Sequence, residues 1–248
     1  RGLDSVQSRI NPGLAVASTK DDSASFTIAQ TLRGEMGGLK AVSSSLGRAK
    51  STVDVAVAGA EQVSDLVNQM KTKATEASDA GLDADSRAAI AKDFDALKEQ
   101  ITTIIDSSEF NGSNLLKASG GTVAALQSTD TAAATLSVAN QDLTSNVTAI
   151  TGSLTDAATS KTMVTTLETQ AKSINTKLST LGAASRKIDG QLSFTSKLSD
   201  TIEAGIGNLV DADLAKESAN LQALQVKQQL GLQALSIANQ APQSIQSL

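Results

Sequence analysis

The sequence predicts a mainly α fold: an elongated rod of three long, antiparallel, coiled-coil-like helices plus a small β-hairpin, with a C-terminal helix extending from it. Three observations predict it. Of the 248 residues 40% are hydrophobic but only 2% aromatic, so the apolar content is the small aliphatic set that lets long helices pack closely. Two Pro residues leave few compulsory helix stops. From Leu39 onward, apolar residues recur in alternating steps of three and four over about five heptads.

That first seam runs Leu39, Val42, Leu46, Ala49, Val53, Ala56, Ala60, Val63, Val67, Met70 and Ala74, and the helix is expected to begin near Ser25, with Ile28 and Leu32 on the same face. A helix from Ser25 to Ala77 would be on the order of 80 Å long. Ser78 to Asp85 reads as a turn, with Gly81 free to take positive φ and Asp83 or Asp85 able to cap the next helix. A shorter seam at Ile90, Phe94, Leu97, Ile101 and Ile104 is expected to fold back on the first helix.

Helical periodicity stops at Phe110-Asn111-Gly112. Thr122 to Gln127 and Thr135 to Val138 are compatible with strands, separated by Ser128-Thr129-Asp130-Thr131, and predict a hairpin. The stretch from Ala118 to Ser160 is poor in charge and rich in Ser, Thr, Gly and Ala, as a surface-facing insertion would be. A third seam comes next at Leu167, Ala171, Ile174, Leu178, Leu181, Ile188 and Leu192, continuing through Leu198, Ile202 and Ile206. Gly205, Gly207 and Asn208 are expected to loosen this helix, and Asp211 or Asp213 to cap a last one.

The last helix carries one charge, Lys227, after Glu217. Its apolar residues Leu221, Leu224, Val226, Leu230, Leu232, Leu235 and Ile237 do not keep to one stripe, so two faces are apolar and neighbours are expected on both sides.

Chemistry is sparse. With no Cys and no His, thiolate and imidazole ligands, the corresponding nucleophiles and the commonest general base are all missing. Catalytic, cofactor and metal residues are therefore assigned to none. The pairs Asp21/Asp22, Asp83/Asp85, Asp93/Asp95 and Asp211/Asp213 lack further ligands and read as helix caps and solvated faces. Gly205-Ile206-Gly207 comes after a helical seam rather than a strand, so it is no phosphate loop. A net charge of −5 with scattered Lys and Arg argues against nucleic acid, and no apolar run is long enough to span a membrane. Asn111-Gly112-Ser113 and Asn146-Val147-Thr148 fit the N-glycosylation pattern, which is common by chance.

The two ends resemble flagellin. Val6-Gln7-Ser8-Arg9-Ile10-Asn11-Pro12-Gly13 and Val16 to Ala24 are similar to that family's Arg-(Ile/Leu)-x-(Ser/Thr)-Gly and Ser-Ala-x-Asp-Asp-Ala-Ala signatures, with Pro12, Thr19 and Ser23 departing. Glu109-Phe110-Asn111-Gly112 matches its Phe-Asn-Gly turn. Gln228-Gln229, Ala238-Asn239-Gln240-Ala241-Pro242-Gln243 and the Ser-Leu end match its C-terminal helix. The short central region resembles the short flagellins of alphaproteobacteria. The start Arg1-Gly2-Leu3 leads to the expectation of a cut N-terminus relative to the family.

The resemblance implies a secreted, extracellular subunit of the flagellar filament that self-assembles and catalyses nothing. It implies residues 1–22 as the end of an inner-tube segment and connector, 23–109 as the rod's N-terminal part with two helices, and 110–160 as the hairpin and reduced variable region. Residues 161–207 would be the rod's C-terminal helix, and 208–248 an inner-tube helix. Implied partners are further copies, paralogous flagellins, an export chaperone and the secretion apparatus, and filament cap and hook-associated proteins. A flagellin-like cell-surface binding protein and a hook–filament junction protein are the alternatives.

Overall fold

The computed structural model describes residues 2–130 and 135–246, and side chains within 4–130 and 135–236. In chain order the elements are α1 (Gly2–Ile10), α2 (Ser23–Ala77), α3 (Ala84–Ser107), β1 (Val123–Ala125), β2 (Leu136–Val138), α4 (Leu143–Thr148), α5 (Ala157–Val210) and α6 (Leu214–Gln246). They fall into two compact units. One comprises Leu39–Ser196, the other Arg1–Gly38 with Lys197–Leu248.

In the Leu39–Ser196 unit the core is the heptad seam of α2 packed against α3 and α5. Val42, Leu46, Ala49, Val53, Ala56, Ala60, Val63, Val67, Met70 and Ala74 are buried in one cluster with Phe94, Ile101, Ile105, Leu167, Ile174, Leu181 and Ile188. Leu39 is buried as well, while Ile90, Leu97, Leu178 and Leu192 are half-buried against the cluster. The helices run antiparallel, as cross-pairs show: Lys50 meets Asp189 at 3.2 Å and Lys71 meets Glu168 at 2.8 Å, while Lys73 reaches Asp93 at 3.3 Å. Close approach depends on Gly59. A Cβ there would stand 2.2 Å from Ser108 Oγ and 2.9 Å from Leu116 Cδ1.

Each long helix starts on an aspartate. Asp22 accepts from the Ala24 and Ser25 amides, Asp83 from Ser86, and Asp156 from Ala158 and Thr159. These bonds satisfy amides that have no partner within the helix, and they hold all three carboxyls below their ordinary range.

The turn after α2 is built differently from the sequence expectation. Gly81 does not take positive φ. Instead the buried guanidinium of Arg87 reaches back from α3, Nε donating to the Ala77 carbonyl at 2.9 Å and Nη2 to that of Asp79 at 2.7 Å. The orphan Ala77 carbonyl at the end of α2 is thereby satisfied, and the Asp79 carbonyl, which also accepts from the Leu82 amide at 3.4 Å, gains a second donor.

At Phe110–Ser113 two reciprocal backbone bonds of 3.0 Å close a tight turn with Asn111 at φ 50° and Gly112 at φ 77°, the left-handed pair that Asn-Gly adopts most readily. Buried Asn114 then ties the adjoining loop to the end of α3, its Nδ2 donating to the Ile105 carbonyl at 2.7 Å. The hairpin is antiparallel, with Val123 opposite Val138 and Ala125 opposite Leu136. Its strands are shorter than the sequence runs, and Thr131 of the expected tip lies outside the described residues. The short α4, capped by Asp142, is not expected from the sequence; Leu143 and Val147 anchor it in the core.

In the other unit, Ala29, Ile206 and Val210 are buried with Leu14, Val16, Leu32, Met36, Ile202 and Leu209 packed on them. Residues 11–22 are not helical. They are laced to the α5–α6 junction: the Ala15 and Val16 amides donate to the Val210 carbonyl and Ala212 donates to Gly13. The expected loosening at Gly205, Gly207 and Asn208 does not occur, since α5 continues to Val210. Burial of Ile206 and Val210 on either side of these residues offsets the roughly 0.5–1 kcal/mol helix penalty of each glycine.

Candidate assembly surface

α6 is opened by Asp213, whose carboxylate accepts from the Lys216 amide at 3.0 Å. At about 100° per residue, Glu217, Leu221, Leu224, Leu232 and Leu235 line one stripe of α6, and Val226 and Leu230 line the nearly opposite one. α1 packs against this helix. Val6 is buried, and Arg9 reaches Glu217 at 3.6 Å. On the first stripe Leu221 and Leu224 are half-buried. Farther along, burial ends: Val226, Leu230, Leu232 and Leu235 are 53%, 59%, 63% and 61% exposed. The side chain of Ile237 lies outside the described residues.

The cost of this exposure sets the chemistry of the surface. A fully buried aliphatic side chain is worth roughly 1.5–3 kcal/mol relative to one in water. The exposed residues of α6 therefore leave several kcal/mol of apolar burial unrealised among the described residues. Phe194, 58% exposed on α5, is a further apolar group that heptad reasoning misses, because it sits off the seam between Leu192 and Thr195.

The polar groups take structural roles. Asp21 accepts from the Ala17 and Ser18 amides, Asp93 pairs with Lys73, and the capping aspartates are occupied as described. Among the described residues no group of Asp and Glu could hold a metal ion. Asn146 is buried and occupied: it donates to Gln170 Oε1 and accepts from the Lys177 ammonium, so the second glycosylation pattern is closed to sugar. Burial also pushes the Lys177 ammonium below its ordinary range. Near the hairpin an open hollow of about 240 Å³ is lined by Ser45, Arg48, Thr52, Phe110, Asn111 and Thr122 among others.

A helical chain that leaves its last helix this apolar and uncovered belongs to the class of self-associating structural subunits. Comparison with known proteins gives the family. The model of the bacterial flagellin N-terminal helical region matches residues 1–122, and that of the C-terminal helical region matches residues 164–248. Flagellin FljM of Caulobacter vibrioides is 44% identical over 246 residues, covering 99% of this chain and 90% of that protein. A flagellin of Brucella melitensis is 36% identical over 270 residues, covering 100% and 92%. Among solved structures, the crystal structure of Bacillus cereus flagellin superposes with a TM-score of 0.56 at 26% identity, covering 60% of this chain and 86% of that one.

The chain belongs to the bacterial flagellin family. It is a non-enzymatic structural subunit of the extracellular flagellar filament, the propeller of cell motility.

Proposed function

We propose that α6, together with α1, supplies the contacts that hold copies of this subunit in the filament, through Leu221, Leu224, Val226, Leu230, Leu232, Leu235 and Ile237. The observation that carries this reading is the pair of apolar stripes on α6, which among the described residues are covered only at Leu221 and Leu224. Residues 1–22 and 208–248 then form the inner-tube segments. The helices of 23–109 and 161–207 form the rod, and 110–160 the outward hairpin region. Leu39, Val42, Leu46, Val53, Val63, Val67, Met70, Ile90, Phe94, Leu97, Ile101, Leu167, Ile174, Leu178, Leu181, Ile188 and Leu192 serve as the rod core.

The same stripes are what an export chaperone would cover before secretion. Paralogous flagellins, the cap and the hook-associated proteins would meet this subunit at the filament's ends and along it. Electron microscopy of the full-length protein added to seed filaments tests the reading. Seeds should elongate at micromolar subunit, and absence of growth under conditions where a related flagellin elongates them would overturn it.

A further inference from the structure

Between α4 and α5 a lysine stands against a buried carboxamide. Lys177, half-buried on α5, donates from Nζ to the Asp142 carbonyl at 2.8 Å and to Asn146 Oδ1 at 2.5 Å. Among the described residues the other lysine bonds to side chains go to carboxylates or a hydroxyl, and this one alone goes to a carboxamide. Asn146 is 5% exposed, and its amide is held from the other side, Nδ2 donating to Gln170 Oε1 at 2.8 Å. Leu143, Val147, Ile174 and Leu181, which flank the pair along α4 and α5, are core residues. Burial holds the ammonium below its ordinary range and so enlarges the share of neutral amine, while Asp142 is the acid whose charge acts on it. Asp142 sits at φ 30°, a left-handed conformation that a residue other than glycine keeps only where its surroundings impose it.

We propose that Lys177 and Asn146 join in an isopeptide bond that ties α5 to α4. The Asp142 carboxylate takes a proton from the Lys177 ammonium. The neutral Nζ attacks Asn146 Cγ and passes a proton to Nδ2; the Cγ–Nζ bond forms and the Cγ–Nδ2 bond breaks. Ammonia leaves and recovers the proton from Asp142, so neither an oxidant nor a cofactor is needed. With a C=O bond of about 1.2 Å, an amine 2.5 Å from Oδ1 stands roughly 3–3.5 Å from Cγ, within near-attack range. The remaining movement turns the amine from the plane of the amide onto its face. The buried position keeps water from competing with the amine. The product closes a loop between residues 31 apart and confines the unfolded chain as a disulfide would, in a sequence with no Cys.

Intact mass spectrometry of the denatured full-length subunit, taken from filaments, reads the bond as the loss of one ammonia. Trypsin should release a branched peptide carrying both residues, uncut after Lys177, because an acylated lysine is no longer a cleavage site. Lys177→Arg keeps the charge and the donors but brings no nucleophile, and it should show the full mass, as should Asn146→Ala. Asp142→Asn keeps a capping oxygen and tolerates positive φ. Followed from fresh synthesis, its linked fraction should grow at least about tenfold more slowly than the parent's, as expected when a general base is removed. Circular dichroism of each variant monitors the fold. A parent of full mass would overturn the bond, and so would ammonia lost without a branched peptide or lost equally in Lys177→Arg. Linking of Asp142→Asn at the parent's rate would overturn the part given to Asp142.

Discussion

Between Leu39 and Ala77, α2 sets most of its Leu, Val, Met and Ala in one register and buries those that keep it. Between Leu214 and Leu235, α6 draws on much the same residues, sets them on two opposed stripes, and leaves most of them in water. The composition is shared and the spacing is not. A single seam can be satisfied by two companion helices of the same chain. Two opposed stripes need two partners, and α1, at nine residues, covers only the first turns of one. Position along the heptad, rather than hydrophobicity, therefore separates the residues buried in the fold from those left in water.

The largest effects are expected in the core. Ile174→Ala or Leu46→Ala, each removing a fully buried side chain, should cost about 2–5 kcal/mol, seen as a lowered thermal midpoint by circular dichroism. Ala60 is also fully buried on the seam, and Ala60→Trp should cost at least about 1–3 kcal/mol. An unchanged midpoint would mean that the packing around α2 gives way more easily than its burial implies.

Next come the contacts that hold the seam in place. Arg87→Ala strips the Ala77 carbonyl of its side-chain donor and leaves that of Asp79 only the 3.4 Å bond from the Leu82 amide, and about 1–3 kcal/mol should be lost; urea titration reads it as a lower midpoint with an unaltered slope. Gly59→Ala should destabilise despite alanine's better helix propensity, because the new methyl meets Ser108 and Leu116. A stabilised variant would show that Ser108 can move aside.

The smallest effect is acid sensitivity. Asp22, Asp83 and Asp156 have their pKa values depressed by the amides and hydroxyls they accept from. Their contribution is therefore present above the ordinary value of 3.8 and lost as pH falls through the lower folded-state values. Asp83→Asn keeps a capping oxygen but cannot titrate. Its thermal midpoint should fall less than the parent's between about pH 5 and pH 2, and parallel curves would show that Asp83 carries none of the acid sensitivity.

The three long helical seams, the hairpin and the apolar excess of the last helix are legible in the sequence because each is a local pattern: a period of three and four, two short β-rich runs, a stretch nearly free of charge. What is not legible depends on distant partners. Nothing local to Gly59 shows the need for a missing side chain, which comes from Ser108 and Leu116, some fifty residues on. Nothing local to Arg87 marks it as the donor to the Ala77 carbonyl, ten residues back in the chain. Gly205 and Gly207 suggest an interruption because local propensity counts against them, whereas burial of Ile206 and Val210 carries the helix through. For the candidate surface, sequence names the apolar residues of α6; it cannot tell that Leu221 and Leu224 are half-covered and Leu230, Leu232 and Leu235 bare.

The outer part of α6, then, is held to act between copies and not within one. Leu230→Asp with Leu235→Asp in the full-length chain tests this directly, with the monomer's thermal midpoint and its elongation of seed filaments measured side by side. Both residues are already more than half exposed. The monomer should therefore unfold within about 0.5 kcal/mol of the parent while elongation is lost. A monomer that melts early, or filaments that grow at the parent's rate, would contradict it.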